Sequence, residues 1–211
     1  MQALRQLDQE ILFFLNHLGA EGPAREVVIR LLATELMYAL AAVVVYLLVT
    51  KPDGRQVLMT ALAGALLGYA VGKIINAMVE RDRPFVVFPD QVRHVALYVR
   101  PASFPSIHAA SAFGGTGAVL FGRYRGWGVI MLVLAAFMIA ARVAAGVHWP
   151  SDVAGGGLIG LVLAAVLVGI QRCCWPRLGL REGEDGEGVS PEAGHSRDDP
   201  GPSGGQGDSG P

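Results

Sequence analysis

The chain has little charge for its length, few aromatic residues and almost no cysteine. Of its 211 residues, 17% are charged, 8% are aromatic and 52% are hydrophobic, and the mean hydropathy is +0.43. A soluble domain averages about 25% charged residues, so a soluble Rossmann-type enzyme is excluded. The two cysteines, Cys173 and Cys174, are adjacent and cannot form the framework of a disulfide-stapled secreted domain. The 17 basic and 18 acidic residues leave no basic excess that would indicate a nucleic acid partner.

The charge that is present is concentrated at the C-terminal end. Residues 176–211 contain eight of the 18 acidic residues, three of the 17 basic residues and ten of the 28 glycines. This composition cannot bury a core and predicts a disordered acidic tail. The rest of the chain carries a net charge of +4 and long uncharged runs. We therefore predict a membrane domain over residues 31–175, preceded by a lead-in over residues 1–30.

The apolar runs are continuous rather than alternating, which indicates spanning helices and not strands of a lipid-facing barrel. We predict an all-α polytopic bundle of five spans. In the second span Gly64, Gly68 and Gly72 recur at every fourth residue, which favours close helix packing. The five runs are residues 36–50 (extendable upstream to 31), 56–72 (extendable to 79), 109–122, 127–141 and 153–170.

The segment at residues 7–18 (LDQEILFFLNHL) has apolar residues at helical spacing. It is too short and too charged for a span, so we expect an interfacial helix or a short sixth helix.

Five spans place the connecting segments alternately on two sides of a membrane. The side that receives the tail has basic residues close to the span ends, which predicts that this side is cytoplasmic. We therefore predict a multi-pass protein of the inner (plasma) membrane, with segments 80–105 and 146–152 on the extracytoplasmic side. The basic residues on the cytoplasmic side are Lys51, Arg55, Arg123, Arg125, Arg172 and Arg177.

Three segments on the extracytoplasmic side hold most of the polar groups: residues 80–85 (ERDRPF), 104–108 (FPSIH) and 142–152 (RVAAGVHWPSD). Ionisable groups at the border of a membrane are costly and are functional candidates for that reason. Arg83 and Arg142 offer forked donors that match phosphate oxygens.

The other polar residues of these segments fit the same chemistry. Ser106 is a candidate N-cap, and the free N–H groups of a helix start bind anions. His148, four residues before Asp152, has the pattern of a nucleophile or base oriented by a carboxylate, and His108 can protonate a leaving oxygen. Together these groups indicate phosphoryl transfer to an imidazole without a metal. A metal site made of His94, His108, His148 and Asp152 is the alternative, but the spacing is not that of a zinc motif and the arginines would repel a cation.

Three blocks of sequence resemble the signature of the type 2 phosphatidic acid phosphatase (PAP2) superfamily: Arg83-Pro84, Pro105-Ser106-x-His108 and Arg142-x5-His148-x3-Asp152. The resemblance covers about residues 30–172, with the blocks in the right order and spacing. It implies a PAP2-like bundle of membrane helices, six in many members, and a metal-independent lipid phosphatase without a cofactor.

The resemblance also implies the roles of individual residues. His148 would form a phosphohistidine, Asp152 would orient it and His108 would be the acid for the leaving group. The phosphoryl oxygens would be held by Arg83, Arg142 and Ser106.

The sequence departs from the family pattern at three positions. Asn76 occupies the usual place of a lysine, so Lys73 or Arg81 would supply the missing charge, and these three are candidate phosphate-binding residues. Ile107 occupies the usual place of a glycine between the Ser and the His, which leaves its backbone as the candidate phosphate contact. Ala141 replaces the serine that opens the third block.

Within the superfamily, the run at residues 81–86 and the run at 146–153 are similar to bacterial undecaprenyl-diphosphatases of the bacitracin-resistance type. This similarity implies hydrolysis of undecaprenyl diphosphate, which recycles the lipid carrier for cell-wall synthesis. Arg93 and Arg100 are candidates for binding the second phosphate. The alternatives are that these loop arginines pair with lipid headgroups or stay solvated. The expected partners are the lipid phosphate or diphosphate and membrane lipids, and a homo-oligomer is compatible with the sequence. The alternatives are a phosphatidic acid or phosphatidylglycerol phosphate phosphatase and a non-catalytic lipid-binding or transport module.

Overall fold

The computed structural model describes residues 2–20, 22–95 and 102–174, and within these ranges every regular element is a helix. The predicted all-helical class is confirmed, while the predicted tail at 176–211 lies outside the described residues. The helices are α1 (Gln2–Ala20), α2 (Pro23–Thr34), α3 (Leu36–Thr50), α4 (Gly54–Met78), α5 (Pro84–Val87), α6 (Ile107–Phe121), α7 (Arg125–Ala144) and α8 (Pro150–Cys174).

The apolar helices make this a multi-pass membrane protein. Helices α4, α7 and α8 are each long and apolar enough to cross a membrane, and α2 and α3 qualify together although they are bent by 44°. Three described helices therefore qualify alone, or four spans if the bent pair is counted as one, whereas the sequence predicted five. The difference lies in α6, which has only 15 residues. It packs against α4, α7 and α8, so its length is set by its neighbours rather than by the thickness of the lipid.

Glycines on α4, α6 and α8 allow the backbones of these helices to touch. A Cβ at Gly68 would overlap the carbonyl oxygen of Ala110, and one at Gly64 would overlap that of Gly114. On α8, Gly160 approaches the same Ala110 carbonyl. The packing role predicted for Gly64 and Gly68 is confirmed. Small residues of this kind let helices pack closely in lipid, where van der Waals contact drives their association.

Helix α1 presents opposite faces to the protein and to its surroundings. Leu12 is fully buried, whereas Leu7, Phe14 and Leu18 are each more than half exposed. The outward face therefore carries large apolar side chains beside exposed polar ones such as Glu10, as an amphipathic helix at the interface with lipid does. The buried face includes the carboxylate of Asp8.

Chain direction brings the three polar segments to one end of the bundle. Helices α4 and α7 finish there and α6 and α8 begin there, as the contacts of Gly68 and Gly160 with the start of α6 show. At the opposite end, the hydroxyl of Tyr124 donates to Asp53, and Thr60 and Gln171 are hydrogen-bonded.

Candidate active site

His148 lies in the turn between α7 and α8 and is only 3% exposed. Gly146, with φ +72°, makes this turn in a conformation that suits glycine. The His148 Nδ1 atom lies 3.1 Å from the carbonyl oxygen of Ser103. A carbonyl can only accept, so Nδ1 carries the hydrogen and Nε2 keeps its lone pair. This arrangement suits a nucleophile at Nε2.

Two guanidinium groups face the free nitrogen of His148. Arg83 Nη1 lies 3.3 Å and Arg142 Nη2 3.5 Å from His148 Nε2. Both arginines are buried, with 5% and 6% exposure respectively. Their charges converge where an anion in contact with Nε2 would lie.

Backbone carbonyls hold these guanidinium groups. Arg83 donates to the carbonyls of Val147 at 2.6 Å and Ala102 at 2.9 Å. Arg142 Nη1 donates to the carbonyl of Ala33 at 3.3 Å. Ala33 is in the last turn of α2, where carbonyls lack partners within the helix, so the break before α3 provides this acceptor. Arg142 Nε is buried without a hydrogen-bond partner among the described residues, and an oxyanion would satisfy it.

Burial controls the ionisation of His148 and Arg83. It lowers the pKa of His148 to about 4; Asp152 opposes this shift, while the charges of Arg142 and Arg83 add to it. Burial likewise lowers the pKa of Arg83 to about 10, against the attraction of Asp152. At neutral pH the imidazole is therefore neutral while the Arg83 guanidinium remains charged.

Asp152 is fully buried in the first turn of α8 and acts on His148 through a neighbour. Its Oδ2 atom accepts from the Trp149 amide at 2.8 Å and from the Ser103 hydroxyl. The distance from Oδ2 to His148 Nδ1 is 3.7 Å, an ion-pair separation longer than a hydrogen bond. Asp152 thus holds Ser103, whose carbonyl in turn holds the imidazole.

The start of α6 completes this end of the bundle. Ser106 is fully buried and caps the helix by accepting from the Ala109 amide at 3.4 Å, which confirms the predicted N-cap. Its own amide donates to the carbonyl of Asp152 at 3.0 Å. Ile107 is half-buried and His108 is exposed. His108 lies within the electrostatic reach of Arg142, His148 and Arg83, so the three sequence blocks come together.

Three further candidates have partners other than the guanidinium pair. Asn76 Nδ2 donates to the carbonyls of Phe104 at 3.1 Å and Ala102 at 3.3 Å, which fixes the segment before α6. The Lys73 ammonium lies 5.9 Å from the centre of the Tyr69 ring. A phosphate contact for either residue stays a prediction.

Arg81, the third of these candidates, forms ion pairs with Asp152 at 2.6 Å and with Asp8 at 2.9 Å. Its phosphate contact also stays a prediction.

The candidates for the second phosphate also have neighbours of their own. Arg93 pairs with Glu26. The His94 ring, named only in the metal alternative, stacks on Phe85 with their centres 4.1 Å apart. Arg100 lies outside the described residues.

Sequence reasoning missed three residues of this region. Ser103 supplies the acceptor for His148, Asp8 binds Arg81, and Asn16 donates to the carbonyls of Arg93 and Ala144. A signal was available in α1, because Asp8 and Asn16 are each four residues from buried Leu12 and so lie along one side of the helix. A buried stripe containing two polar residues indicates polar partners.

Among the described residues, no three His, Cys, Asp or Glu side chains come together as metal ligands would. The Nε2 atom of His148 instead faces the guanidinium groups of Arg83 and Arg142, which suit an anion.

Comparison with known proteins identifies the class. The profile of the PAP2 superfamily matches residues 54–174. The chain is 34% identical to the bacitracin transport permease protein BcrC of Bacillus licheniformis over 77% of this chain and 79% of that protein. It is 34% identical to the decaprenylphosphoryl-5-phosphoribose phosphatase of Mycobacterium tuberculosis (56% of this chain, 64% of that protein). It is 33% identical to the putative undecaprenyl-diphosphatase YbjG of Escherichia coli (58% and 61%).

Solved structures share the fold. LpxE of Aquifex aeolicus superposes with a TM-score of 0.63 at 23% identity, covering 77% of this chain and 95% of that one. The PAP2-type phosphatidylglycerolphosphate phosphatase of Bacillus subtilis superposes with a TM-score of 0.56 at 20% identity, covering 82% and 88%. The protein is therefore a phosphatase of the membrane, and it belongs to the PAP2 superfamily. It is a hydrolase of lipid phosphates, and the chemistry of this family does not depend on a metal.

Proposed function

We propose that the protein hydrolyses a polyprenyl diphosphate to the monophosphate through a phosphohistidine at His148. The observation that carries this proposal is the position of His148 Nε2, which keeps its lone pair and lies within 3.5 Å of both Arg83 and Arg142. A neutral nucleophile beside two fixed cations can attack a phosphorus atom while the charge on the phosphoryl oxygens is stabilised.

In the first half-reaction, Nε2 attacks the terminal phosphorus and the bond from that phosphorus to the bridging oxygen breaks. His108, exposed at the edge of the pocket, gives its proton to that oxygen, so the polyprenyl monophosphate leaves. The positive charge that develops on the imidazole is balanced by Asp152 and by donation from Nδ1 to Ser103. In this role Ser106, Ile107 and the start of α6 present backbone N–H groups to the phosphoryl oxygens.

In the second half-reaction, a water molecule attacks the phosphorus of the phosphohistidine. His108, now deprotonated, takes a proton from the water, the N–P bond breaks and inorganic phosphate leaves. His148 returns to its neutral form, and no metal is required. Arg83 and Arg142 keep their contacts with the phosphoryl oxygens throughout, so these interactions are prearranged in the free protein.

Two observations favour a polyprenyl substrate. The relatives from M. tuberculosis and E. coli are both named for a polyprenyl lipid, one for a decaprenylphosphoryl sugar phosphate and one for undecaprenyl diphosphate. The motif runs at residues 81–86 and 146–153 resemble the same group. The decisive assay compares turnover of undecaprenyl diphosphate, phosphatidic acid and phosphatidylglycerol phosphate by the purified protein in one detergent. We expect the highest kcat/KM for the diphosphate. Faster release of phosphate from a glycerolipid would overturn the proposed substrate.

The phosphohistidine is tested by trapping. Substrate labelled in its terminal phosphate should leave label on the denatured protein that is stable to alkali and lost in acid. His148→Ala should carry no label. His94→Ala is the matched control, because His94 is an exposed histidine at the same end of the bundle and its loss should leave labelling intact. Label that survives His148→Ala would exclude this nucleophile.

We further propose that the site faces the extracytoplasmic side. The basic residues of the opposite end support this orientation through the positive-inside bias. Cys173 and Cys174 are exposed at that opposite end, at the end of α8. A membrane-impermeant maleimide should leave them unlabelled in intact cells and label them after permeabilisation. An Asp90→Cys variant lacking both cysteines should react in intact cells, because Asp90 is exposed near the site. The reverse pattern would invert the orientation.

A further inference from the structure

A carboxylate of α1 lies against the catalytic end of the bundle. Asp8 is 6% exposed. Its Oδ1 atom accepts from the Ser151 amide at 2.9 Å, and its Oδ2 atom accepts from the Ser151 hydroxyl at 2.5 Å and from Arg81 Nη2 at 2.9 Å. None of the three sequence blocks contains Asp8, and the matched PAP2 region begins only at residue 54.

Arg81 connects this carboxylate to the one beside His148. Its Nη1 atom donates to Asp152 Oδ1 at 2.6 Å and to the Ser151 hydroxyl at 2.7 Å. The guanidinium carbon lies 5.3 Å from the centre of the Trp149 ring. One guanidinium is thus shared between two carboxylates, and it occupies the Asp152 oxygen that does not face His148. The order of charges running toward the imidazole is negative at Asp8, positive at Arg81 and negative at Asp152.

We propose that Asp8 is a positioning residue that, by holding and partly neutralising Arg81, sets how strongly Asp152 supports His148. The proposal rests on the proposed role of His148 as the nucleophile. Positive charge develops on the imidazole as Nε2 attacks phosphorus, and Asp152 stabilises it. Arg81 acts against that stabilisation, since like charges repel and their interaction is weakly screened away from water. Asp8 offsets part of the positive charge of Arg81 and holds Arg81 against Asp152 Oδ1. Asp152 Oδ2 is therefore left for Ser103 and His148.

The charged or titratable groups around His148 come from each of the elements that pack against it. Asp152 lies on α8, Arg142 on α7, Arg83 in the segment before α5 and His108 on α6, and Arg81 with Asp8 stands behind Asp152. Substitutions of Asp8 and Arg81 alter two members of this set and leave Arg83, Arg142 and His108 unchanged.

The test uses the full-length protein and compares Asp8→Asn with Glu10→Gln. Glu10 is exposed on the same helix, so its variant removes the same charge without the buried contacts. For Asp8→Asn we expect kcat to fall at least about tenfold with KM within about twofold, because the hydrogen bonds of Asp8 are with Arg81 and Ser151 and not with Arg83 or Arg142, the two guanidinium groups beside His148 Nε2. The acid limb of kcat/KM should move to lower pH, because uncompensated Arg81 disfavours the charged imidazole. Glu10→Gln should match the wild type in kcat, in KM and in the position of the acid limb.

Arg81→Gln supplies the opposite sign and remains informative if Asp8→Asn folds poorly. Removing the guanidinium leaves two carboxylates behind His148, so the acid limb should move to higher pH. The double variant should lie between the two single variants, because one charge of each sign has gone. If the acid limb moved in the same direction in both single variants, the proposal would be overturned. The two variants remove charges of opposite sign, so an effect of charge on His148 must move the limb in opposite directions. An unchanged kcat and limb in folded Asp8→Asn would also overturn it.

The same assays separate this proposal from the proposed function. They are run on whichever lipid phosphate the wild type hydrolyses, so a wrong substrate leaves the test intact. Activity that survives His148→Ala would instead remove the nucleophile on which the proposal rests, and that variant is measured first.

Discussion

At the end of the bundle where α4 and α7 finish, five ionisable side chains are at most 6% exposed: Asp8, Arg83, Arg142, His148 and Asp152. At the opposite end, Arg55, Arg123 and Arg172 are exposed. The polar pairs there, Tyr124 with Asp53 and Thr60 with Gln171, are only partly buried. The two ends are formed by the same helices, so the difference lies in how the polar groups are held.

Burying a charge is costly unless it is paired and hydrogen-bonded. The catalytic end meets this condition with backbone carbonyls under both arginines and with three donors on Asp152, and the remaining donor at Arg142 Nε suits an oxyanion. At the opposite end the three arginines stay exposed, so the cost of burying a charge does not arise for them. The comparison teaches that buried charge, rather than the presence of polar residues, marks the functional end, and each prediction below contrasts the two ends or tests one of them.

The largest effect is expected from removing the nucleophile. His148→Ala should lower kcat by at least about a thousandfold, because the proposed covalent intermediate forms on this side chain. At the opposite end, Asp53→Asn should leave kcat within about twofold, although it removes the negative charge that accepts from the Tyr124 hydroxyl. Steady-state phosphate release from both purified variants checks this contrast, and a large loss in Asp53→Asn would break it.

The arginines should differ in the same way. Arg83→Gln removes a buried charge beside His148 Nε2 and should lower kcat/KM by about a hundred- to a thousandfold, the range for a lost oxyanion donor. Arg123→Gln removes an exposed charge at the opposite end and should stay within about twofold. Equal losses in the two variants would mean that long-range charge, and not local contact, drives the effect.

Backbone packing gives a third contrast, read as stability. Gly68→Val would force a side chain into the Ala110 carbonyl next to the catalytic end and should destabilise the fold by about 2–4 kcal/mol. Gly169→Val, toward the far end of α8, meets open space, with nothing within 4 Å of its Cβ position. Thermal unfolding of the two variants in detergent should therefore separate them by many degrees, and a similar Tm would contradict the packing described.

The pH profile sharpens the comparison at a single residue. Burial holds the pKa of His148 near 4 instead of the usual 6.5, so the imidazole stays neutral as the pH falls from 7 to about 4 and gains a proton only below that. The contribution of this histidine to the acid limb of kcat/KM should therefore appear near pH 4. An NMR titration in which the His148 resonance, assigned by its loss in His148→Asn, moves with a pKa near 6.5 would show an imidazole open to water.

The smallest effect is expected from removing divalent cations. The catalytic end presents guanidinium groups where a metal enzyme would present carboxylates, so EDTA should change turnover by less than about 1.5-fold. Turnover lost in EDTA and restored by a divalent cation would revive the metal alternative.

Much of this end of the bundle could be predicted from the sequence, because its chemistry lies in short blocks. The spacing from Arg142 to His148 and Asp152 is local, and the parity of the spans was enough to bring it to the block at Ser106. The helices could also be predicted, because a continuous apolar run that crosses a membrane satisfies its backbone hydrogen bonds by forming a helix. The helix α6 is the predicted span that is shorter than the qualifying helices, with 15 residues.

The rest depended on contacts that no local pattern encodes. Asp8 and Ser151 are 143 residues apart, and hydrophobic periodicity shows which face of a helix is apolar but not which side chain its polar residues meet. The carbonyl of Ser103 could not be chosen either, because every residue offers a carbonyl and only the fold selects one. The roles of Asn76 and Arg81 depend on such choices.

The break between α2 and α3 has a practical consequence for engineering. The carbonyl of Ala33 that cradles Arg142, like the carboxylate of Asp8, comes from the first 34 residues of the chain. A chimera that grafts residues 54–174 alone onto a relative would carry every signature motif. The contacts that Ala33 and Asp8 make here would then have to come from the N-terminal helices of the relative. Exchange experiments should therefore transplant the N-terminal helices together with the motif region.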